Sequence, residues 1–332
     1  MSPTPTTRRP RAQSASSLLD HIGETPLVPI DGIFVKMECS NPGGSVKDRI
    51  AKFMLEQARA RGELRATDTV VEATSGNTGI AMAMVARELG HRVIIWMPEH
   101  MSRERIEMLR ALGADVRLTP EEEGFEGPIE KRDSYKGRDG YFVPDQFANP
   151  DNVLCHQQTT GVELARQLRE QGQNSVDAFV AGTGTGGTLM GVGRALKAVM
   201  PAIRIVAVEP EESAVMLGGK PGSHSIQGIG DGFIPELVDM DFVDEVIAVA
   251  EADARAAARR IHDEFGYCVG MSAGANHVAA SRLRQRGSSV TTVWPDCSDR
   301  YVSMGLASPE HGDGSCPMVS RCADRWNAVI RR

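Results

Sequence analysis

The 332-residue chain has no CxxC pair, no apolar run long enough to span a bilayer, no surplus of basic charge and no internal repeat. Each absence narrows the reading. The six thiols at 39, 155, 268, 297, 316 and 322 are too scattered for a zinc cluster or a disulfide framework. They read as reduced thiols of a cytoplasmic protein, with only Cys316 and Cys322 close enough in sequence to pair. Without about 18 consecutive apolar residues, no transmembrane helix and no membrane partner are expected. With 37 basic against 44 acidic residues the net charge is −7. That disfavours a nucleic-acid partner, which needs a basic face against the phosphates. The missing period excludes a repeat array.

What is present is ordinary for a globular protein: 41% hydrophobic and 24% charged residues. The length suggests two domains at roughly 150 residues each. The first 17 residues, MSPTPTTRRPRAQSASS, hold no acid and read as a disordered tail, set at 1–14, rather than a transit peptide. From Leu18 onward strands and helices alternate. Strands are expected at 69–73, 92–97, 115–118, 178–181, 204–208, 246–249 and 290–294. Helices are expected at 48–61, 77–89, 102–112, 186–199, 251–265 and 273–285. The first helix places Ile50, Phe53, Met54 and Ala58 on one face. This rhythm predicts an α/β fold of mostly parallel sheets flanked by helices. Residues 121–140, EEEGFEGPIEKRDSYKGRDG, interrupt it as a charged surface helix with loops.

Three motifs carry chemistry. NPGGSVKDR (41–49) is a turn running into a helix, with Ser45 as a candidate N-cap. Lys47 is a poor electrostatic choice beside the positive end of that helix. It reads either as a surface lysine or as an amine with a depressed pKa, used as nucleophile or base. TSGNTG (74–79) follows a strand and opens a helix. Its hydroxyls, amide and exposed N–H groups form an anion cradle suited to a carboxylate. GTGTGG (182–187) lies at a second strand–helix junction and suits a phosphate. It also fits GxGxxG, with Glu209 ending the next strand, so a nicotinamide-dependent dehydrogenase competes on this motif alone. A lysine, a carboxylate cradle and a phosphate cradle in one chain point instead to pyridoxal 5′-phosphate.

With those motifs in view, the chain resembles the cysteine synthase (O-acetylserine sulfhydrylase) group of fold-type II pyridoxal-phosphate enzymes. The likeness runs from IGETPLV at 22–28 to PDCSDRYVS at 295–303 and includes MPEHMSRER (97–105), QFANP (146–150) and GMSAG (270–274). It implies that Lys47 binds the cofactor aldehyde and serves as the catalytic base. It implies that Asn77 contacts the cofactor 3′ oxygen, and that Gly182, Thr183, Gly184, Thr185, Gly186 and Gly187 hold the phosphate. Ser272 would meet the pyridine nitrogen. Thr74, Ser75, Asn77, Thr78 and Gln146 would hold the substrate carboxylate, with Gly228 and Asp231 bordering the substrate entrance.

The implied reaction is β-replacement on an activated L-serine: O-acetyl-L-serine and sulfide give L-cysteine and acetate through an α-aminoacrylate. Two alternatives stay open. One uses an amine or another nucleophile and makes a non-protein amino acid of the 2,3-diaminopropionate type. The other is a β-eliminating, cysteine desulfhydrase-like lyase. The departures are Met271 and Ala273 in GMSAG, Asp231 where a small residue is common, and the extension after 306. Asp231 either points to solvent or faces the entrance, where it would repel hydrosulfide. The resemblance further implies a tryptophan synthase β-like pair of lobes. Residues 15–39 plus 150–306 form a large cofactor-binding domain, and 40–149 form a small mobile substrate-binding domain. Residues 307–332 form a C-terminal extension. A homodimer and docking of a serine acetyltransferase are implied by the resemblance alone.

Overall fold

The computed structural model describes residues 17–74, 76–101, 103–301 and 306. The expected tail, the 307–332 extension with Cys316 and Cys322, and Ser75 lie outside the described residues.

The strands fall into two sheets. Six form the first: β1 (Leu27–Ile30), β2 (Ile33–Met37), β7 (Ala178–Gly182), β8 (Arg204–Pro210), β9 (Glu245–Val249) and β10 (Val290–Trp294), in the order β1-β2-β10-β7-β8-β9. All neighbours are parallel except the β1–β2 hairpin. The second sheet is wholly parallel: β3 (Thr69–Ala73), β4 (Val93–Pro98), β5 (Asp115–Thr119) and β6 (Tyr141–Phe142), in the order β5-β4-β3-β6. β3 and β10 are buried at every position, as strands covered by helices on both faces must be.

The helices are α1 (Lys47–Ala60), α2 (Asn77–Glu88), α3 (Arg103–Ala111), α4 (Glu126–Asp133), α5 (Asp151–Gln158), α6 (Thr160–Glu170), α7 (Gly187–Val199), α8 (Glu251–Phe265) and α9 (Met271–Gln285). On α1, Ile50, Met54 and Ala58 are fully buried, while Phe53 is only half-buried. Ile50 and Met54 contribute about 1.5–3 kcal/mol each through that burial. A buried ion network pins the first turn of α1. Arg49 bonds Glu38 through Nε (2.6 Å) and Nη2 (2.8 Å), and Glu163 through Nη1 and Nη2 (both 2.7 Å). Lys36 also reaches Glu163, at 2.8 Å.

Five details differ from the sequence reading. The hairpin β1–β2, the short β6 and the helices α5 and α6 were not anticipated at their positions. The N-cap of α1 is Val46 rather than Ser45, and no side chain caps it in the usual way. Ser45 Oγ instead accepts from the Lys47 N–H at 3.3 Å. The helix expected from 273 starts two residues earlier, at Met271.

Candidate active site

Three strand ends converge where ligands settle in open α/β sheets. β3 delivers the TSGNTG turn, β7 delivers GTGTGG, and β10 delivers Pro295 and Asp296. The 41–47 turn is stitched to the last of these. Ser45 bridges to Asp296, and Val46 N–H donates to the Pro295 carbonyl at 2.8 Å. This stitching aims Lys47 inward, which the helix dipole alone would not favour.

Two connected chambers result. The larger is lined by Gly182, Gly184, Thr185, Gly186 and Ser272, together with Gly228 and Ile229. The smaller is lined by Thr74, Thr78, Gln146, Arg105 and Asp231. Lys47, Asn77, Thr185 and Gly228 line both. Lys47 therefore stands at the junction, and the surface-lysine reading is excluded. Thr183 and Gly187 complete the glycine loop without lining either chamber.

Desolvation lowers the Lys47 pKa to about 8, against the opposing pull of Asp231 and Asp296. Desolvation raises the pKa of Asp231, and the charges of Lys47 and His224 work against it. Asp231 thus faces the cleft; the alternative that it points to solvent is corrected.

The two cradles are built differently. In the first, Gly76 precedes α2 with φ +149°, and a Cβ there would press on Arg105 Cδ at 2.5 Å, so only glycine serves. The first N–H groups of α2 have no partner within the helix and are free for an anion. Thr74 Oγ1 accepts from the Gly76 N–H at 3.1 Å, which leaves its own proton to donate. Thr78 spends its hydroxyl proton on Gln146 Oε1 at 2.6 Å. Gln146 Nε2 in turn donates to the Ala73 carbonyl at 3.2 Å. Thr78 and Gln146 therefore brace each other, a coupling that residue types alone did not reveal.

In the second cradle, Gly186 caps α7 in the left-handed region at φ +84°, again a glycine requirement. Asn152 Nδ2 holds Thr185 Oγ1 at 2.9 Å. A Cβ on Gly182 would reach Ile229 Cγ2 at 2.7 Å. Thr183 Oγ1 and Asn276 Oδ1 are buried without a hydrogen-bond partner among the described residues. Asn276 lines the larger chamber. Unpaired polar atoms beside a glycine loop and a helix N-terminus fit a phosphorylated heteroaromatic ligand. Pyridoxal phosphate is such a group. Glu209 is spent on the Met216 and Leu217 N–H groups at 2.8 and 3.1 Å, which removes the acid that a nicotinamide ribose would need.

Some site residues had no assigned role in the sequence. Arg105 walls the smaller chamber and lies over the Tyr301 ring at 5.0 Å. Phe125 and Phe147 line the smaller chamber, with ring centroids 5.9 Å apart, and the Phe233 ring lies tilted against Phe147 at 5.5 Å. Asp296 and Arg300 bond Asn77 from either side, both at 2.7 Å. Their signal was a pair of opposite charges just after an apolar strand. Among the described residues no cluster of metal-ligating side chains occurs, and no helix is long and apolar enough to cross a membrane.

Comparison with known proteins agrees with this geometry. The profile of the family described as "Pyridoxal-phosphate dependent enzyme" matches residues 18–293. A cysteine synthase of Staphylococcus aureus strain Mu50 is 45% identical over 298 residues, covering 86% of this chain and 95% of that one. The crystal structure of cysteine synthase from Entamoeba histolytica superposes with a TM-score of 0.82 at 35% identity, covering 100% of this chain and 99% of that one. An O-acetylserine-dependent cystathionine β-synthase from Helicobacter pylori gives 0.83 at 37% identity, over 90% and 100% of the two chains. A family model that matches residues 18–293 and a relative 45% identical over most of both chains make this protein a member of the pyridoxal-phosphate-dependent enzyme family.

Proposed function

We propose that the protein catalyses β-replacement on an activated L-serine, converting O-acetyl-L-serine and sulfide to L-cysteine and acetate. The observation that carries the reading is that Lys47 lines two adjoining chambers, one bordered by the glycine loop and one by Thr74, Thr78 and Gln146. The 45% identity to a cysteine synthase supports the choice of substrates.

In this reading the glycine loop 182–187 and the N-terminus of α7 hold the cofactor phosphate, Ser272 meets its pyridine nitrogen, and Lys47 binds its aldehyde. Asn77 meets its 3′ oxygen. When bound, pyridoxal phosphate supplies the electron sink for charge formed at the substrate Cα. Ser272 is a neutral partner, which keeps that sink moderate and suits elimination. Thr74 and the N–H groups opening α2 bind the substrate carboxylate, with the braced Thr78–Gln146 pair beside them; the family likeness adds Ser75 to this set. With its pKa near 8, roughly a tenth of the Lys47 amine is neutral at pH 7. Lys47 Nζ takes the proton from Cα and returns it after the nucleophile has added at Cβ. Gly228 and Asp231 border the path of that nucleophile. Phe125 and Phe147, which line the smaller chamber, help to exclude water from the reacting atoms.

The same proposal divides the chain into a large domain, 15–39 with 150–306, and a small mobile one, 40–149, that closes on the carboxylate. The distribution of strands between two sheets supports it. A cytoplasmic homodimer that docks a serine acetyltransferase belongs to the proposal on the likeness to cysteine synthases. Cys39, Cys155, Cys268 and Cys297, the four described cysteines, are in no disulfide, which suits that setting.

The test is product analysis of the purified enzyme with O-acetyl-L-serine, alone, with sulfide and with ammonia. Cysteine as the dominant product with sulfide is the expected result. Pyruvate released at the same rate without any nucleophile would identify a lyase instead.

A further inference from the structure

Opposite charges grip the Asn77 carboxamide from both sides. Its Oδ1 accepts from Arg300 Nη1, and its Nδ2 donates to Asp296 Oδ2, each at 2.7 Å. A guanidinium only donates and a carboxylate only accepts. A flipped amide would set donor against donor and acceptor against acceptor, so a single orientation is permitted.

The grip is itself fixed. Arg300 is fully buried, and its Nη2 donates to the Gly43 carbonyl at 2.7 Å. The Tyr301 hydroxyl donates to Asp296 Oδ2 at 2.6 Å. Asp296 follows β10 of the six-stranded sheet, whereas Asn77 opens α2 after β3 of the other sheet, 219 residues earlier in the chain. Asp296 lines neither chamber, whereas Asn77 lines both beside Lys47. Once both bonds are made, Asn77 keeps one Nδ2 hydrogen and one Oδ1 lone pair to offer.

We propose that Asp296 is a positioning residue: with Arg300 as its counter-charge, it fixes which remaining group of Asn77 is presented to the pyridoxal ring. The proposal rests on the reading that Asn77 meets the cofactor. Asp296 also acts on the Lys47 amine through its charge, so the test must separate the two routes.

The experiment is a double-mutant cycle on the holoenzyme with Asp296→Ala, Asn77→Ala and the pair. It reads the visible absorption maximum of the bound cofactor and the rate of cofactor loss on dilution, with Tm alongside. Asp296→Ala is expected to shift the band and speed loss about tenfold, the scale of one hydrogen bond to a charged group. In the Asn77→Ala background the same change is expected to add less than about twofold, since coupled neighbours are not additive. Asp296→Asn keeps an acceptor oxygen and is expected to recover most of the retention. Equal effects of Asp296→Ala in both backgrounds would overturn the proposal and assign Asp296 to Lys47 or to general stability. An Asn77→Ala variant with unchanged band and loss rate would overturn the reading of Asn77, and the positioning role with it. If Asp296→Ala does not fold, Asp296→Leu, which matches the carboxylate in size without its charge, takes its place in the cycle with the same criteria.

Discussion

Arg49 and Glu38 form a two-pronged ion pair, with Nε and Nη2 of the guanidinium on the two carboxylate oxygens at 2.6 and 2.8 Å. Both side chains are buried. Burial by itself would raise the Glu38 pKa; the Arg49 charge and hydrogen bonds, helped by Lys36, hold it below the usual carboxylate value. Removing one partner strands the other in the interior. Arg49→Met is expected to cost about 3–5 kcal/mol, read by urea unfolding of the purified protein. A cost under about 1 kcal/mol would show that water reaches Glu38 and that the network does not anchor α1.

Lys47→Ala removes the amine that moves the Cα proton. The loss in kcat is expected to be at least about a hundredfold, the lower range for a general base. In the cofactor-free protein, stability should not fall, because the pKa near 8 means that folding disfavours the Lys47 ammonium. Steady-state assays and a thermal melt of the cofactor-free protein check both halves. Retained turnover would move the base elsewhere.

Asp231→Ala removes a carboxylate from the path of an anionic nucleophile. The expected result is a several-fold rise in kcat/KM for hydrosulfide, larger at low ionic strength and shrinking with added salt. The Lys47 pKa should also fall, since Asp231 now holds it up. An unchanged sulfide preference would mean that Asp231 is neutral when the nucleophile arrives.

His156 supplies a pH dependence. Desolvation lowers its pKa from 6.5 to about 3. Its ring nitrogens face the hydroxyls of Thr160 at 2.9 Å and Thr188 at 3.3 Å. Between those two pKa values the unfolded chain binds a proton that the folded chain refuses. Stability therefore falls as pH drops from 6.5 toward 3, by about 4 kcal/mol in all from this group. His156→Gln should flatten that part of the stability profile. Unfolding curves at pH 7, 5.5 and 4.5 test it, and parallel losses in both proteins would exclude His156 as a cause.

The strands of the core were legible because each is a short, continuous apolar run between helical stretches. β1 escaped notice because LVPI carries Pro29 and its fourth residue enters a tight turn. β6 is only two residues long. Lys47 and the two strand-to-helix turns stood out from motif chemistry, since their neighbours in sequence are their neighbours in space; Gln146 was pointed to only by the family likeness. The grip on Asn77 could not, because its partners lie 219 and 223 residues away. Nor could the bracing of Thr78 by Gln146, 68 residues on. Whether Asp231 faced water or the cleft depended on how its loop packs against Lys47, which no local pattern encodes.

The place of β10 sets the order in which a nascent chain can assemble. It is the last of the described strands to be synthesised, yet it sits between β2 and β7, so the six-stranded sheet stays split until residue 294 has emerged. The four-stranded sheet, complete by Phe142, can form well before that. Asp296 and Arg300, which hold Asn77 beside Lys47, arrive only after every other described strand has been made. A chain truncated before β10 would expose the flanks of two apolar strands, the kind of edge that recruits other chains. Completion of the reaction chamber and protection from aggregation are thus one late event in the life of this polypeptide.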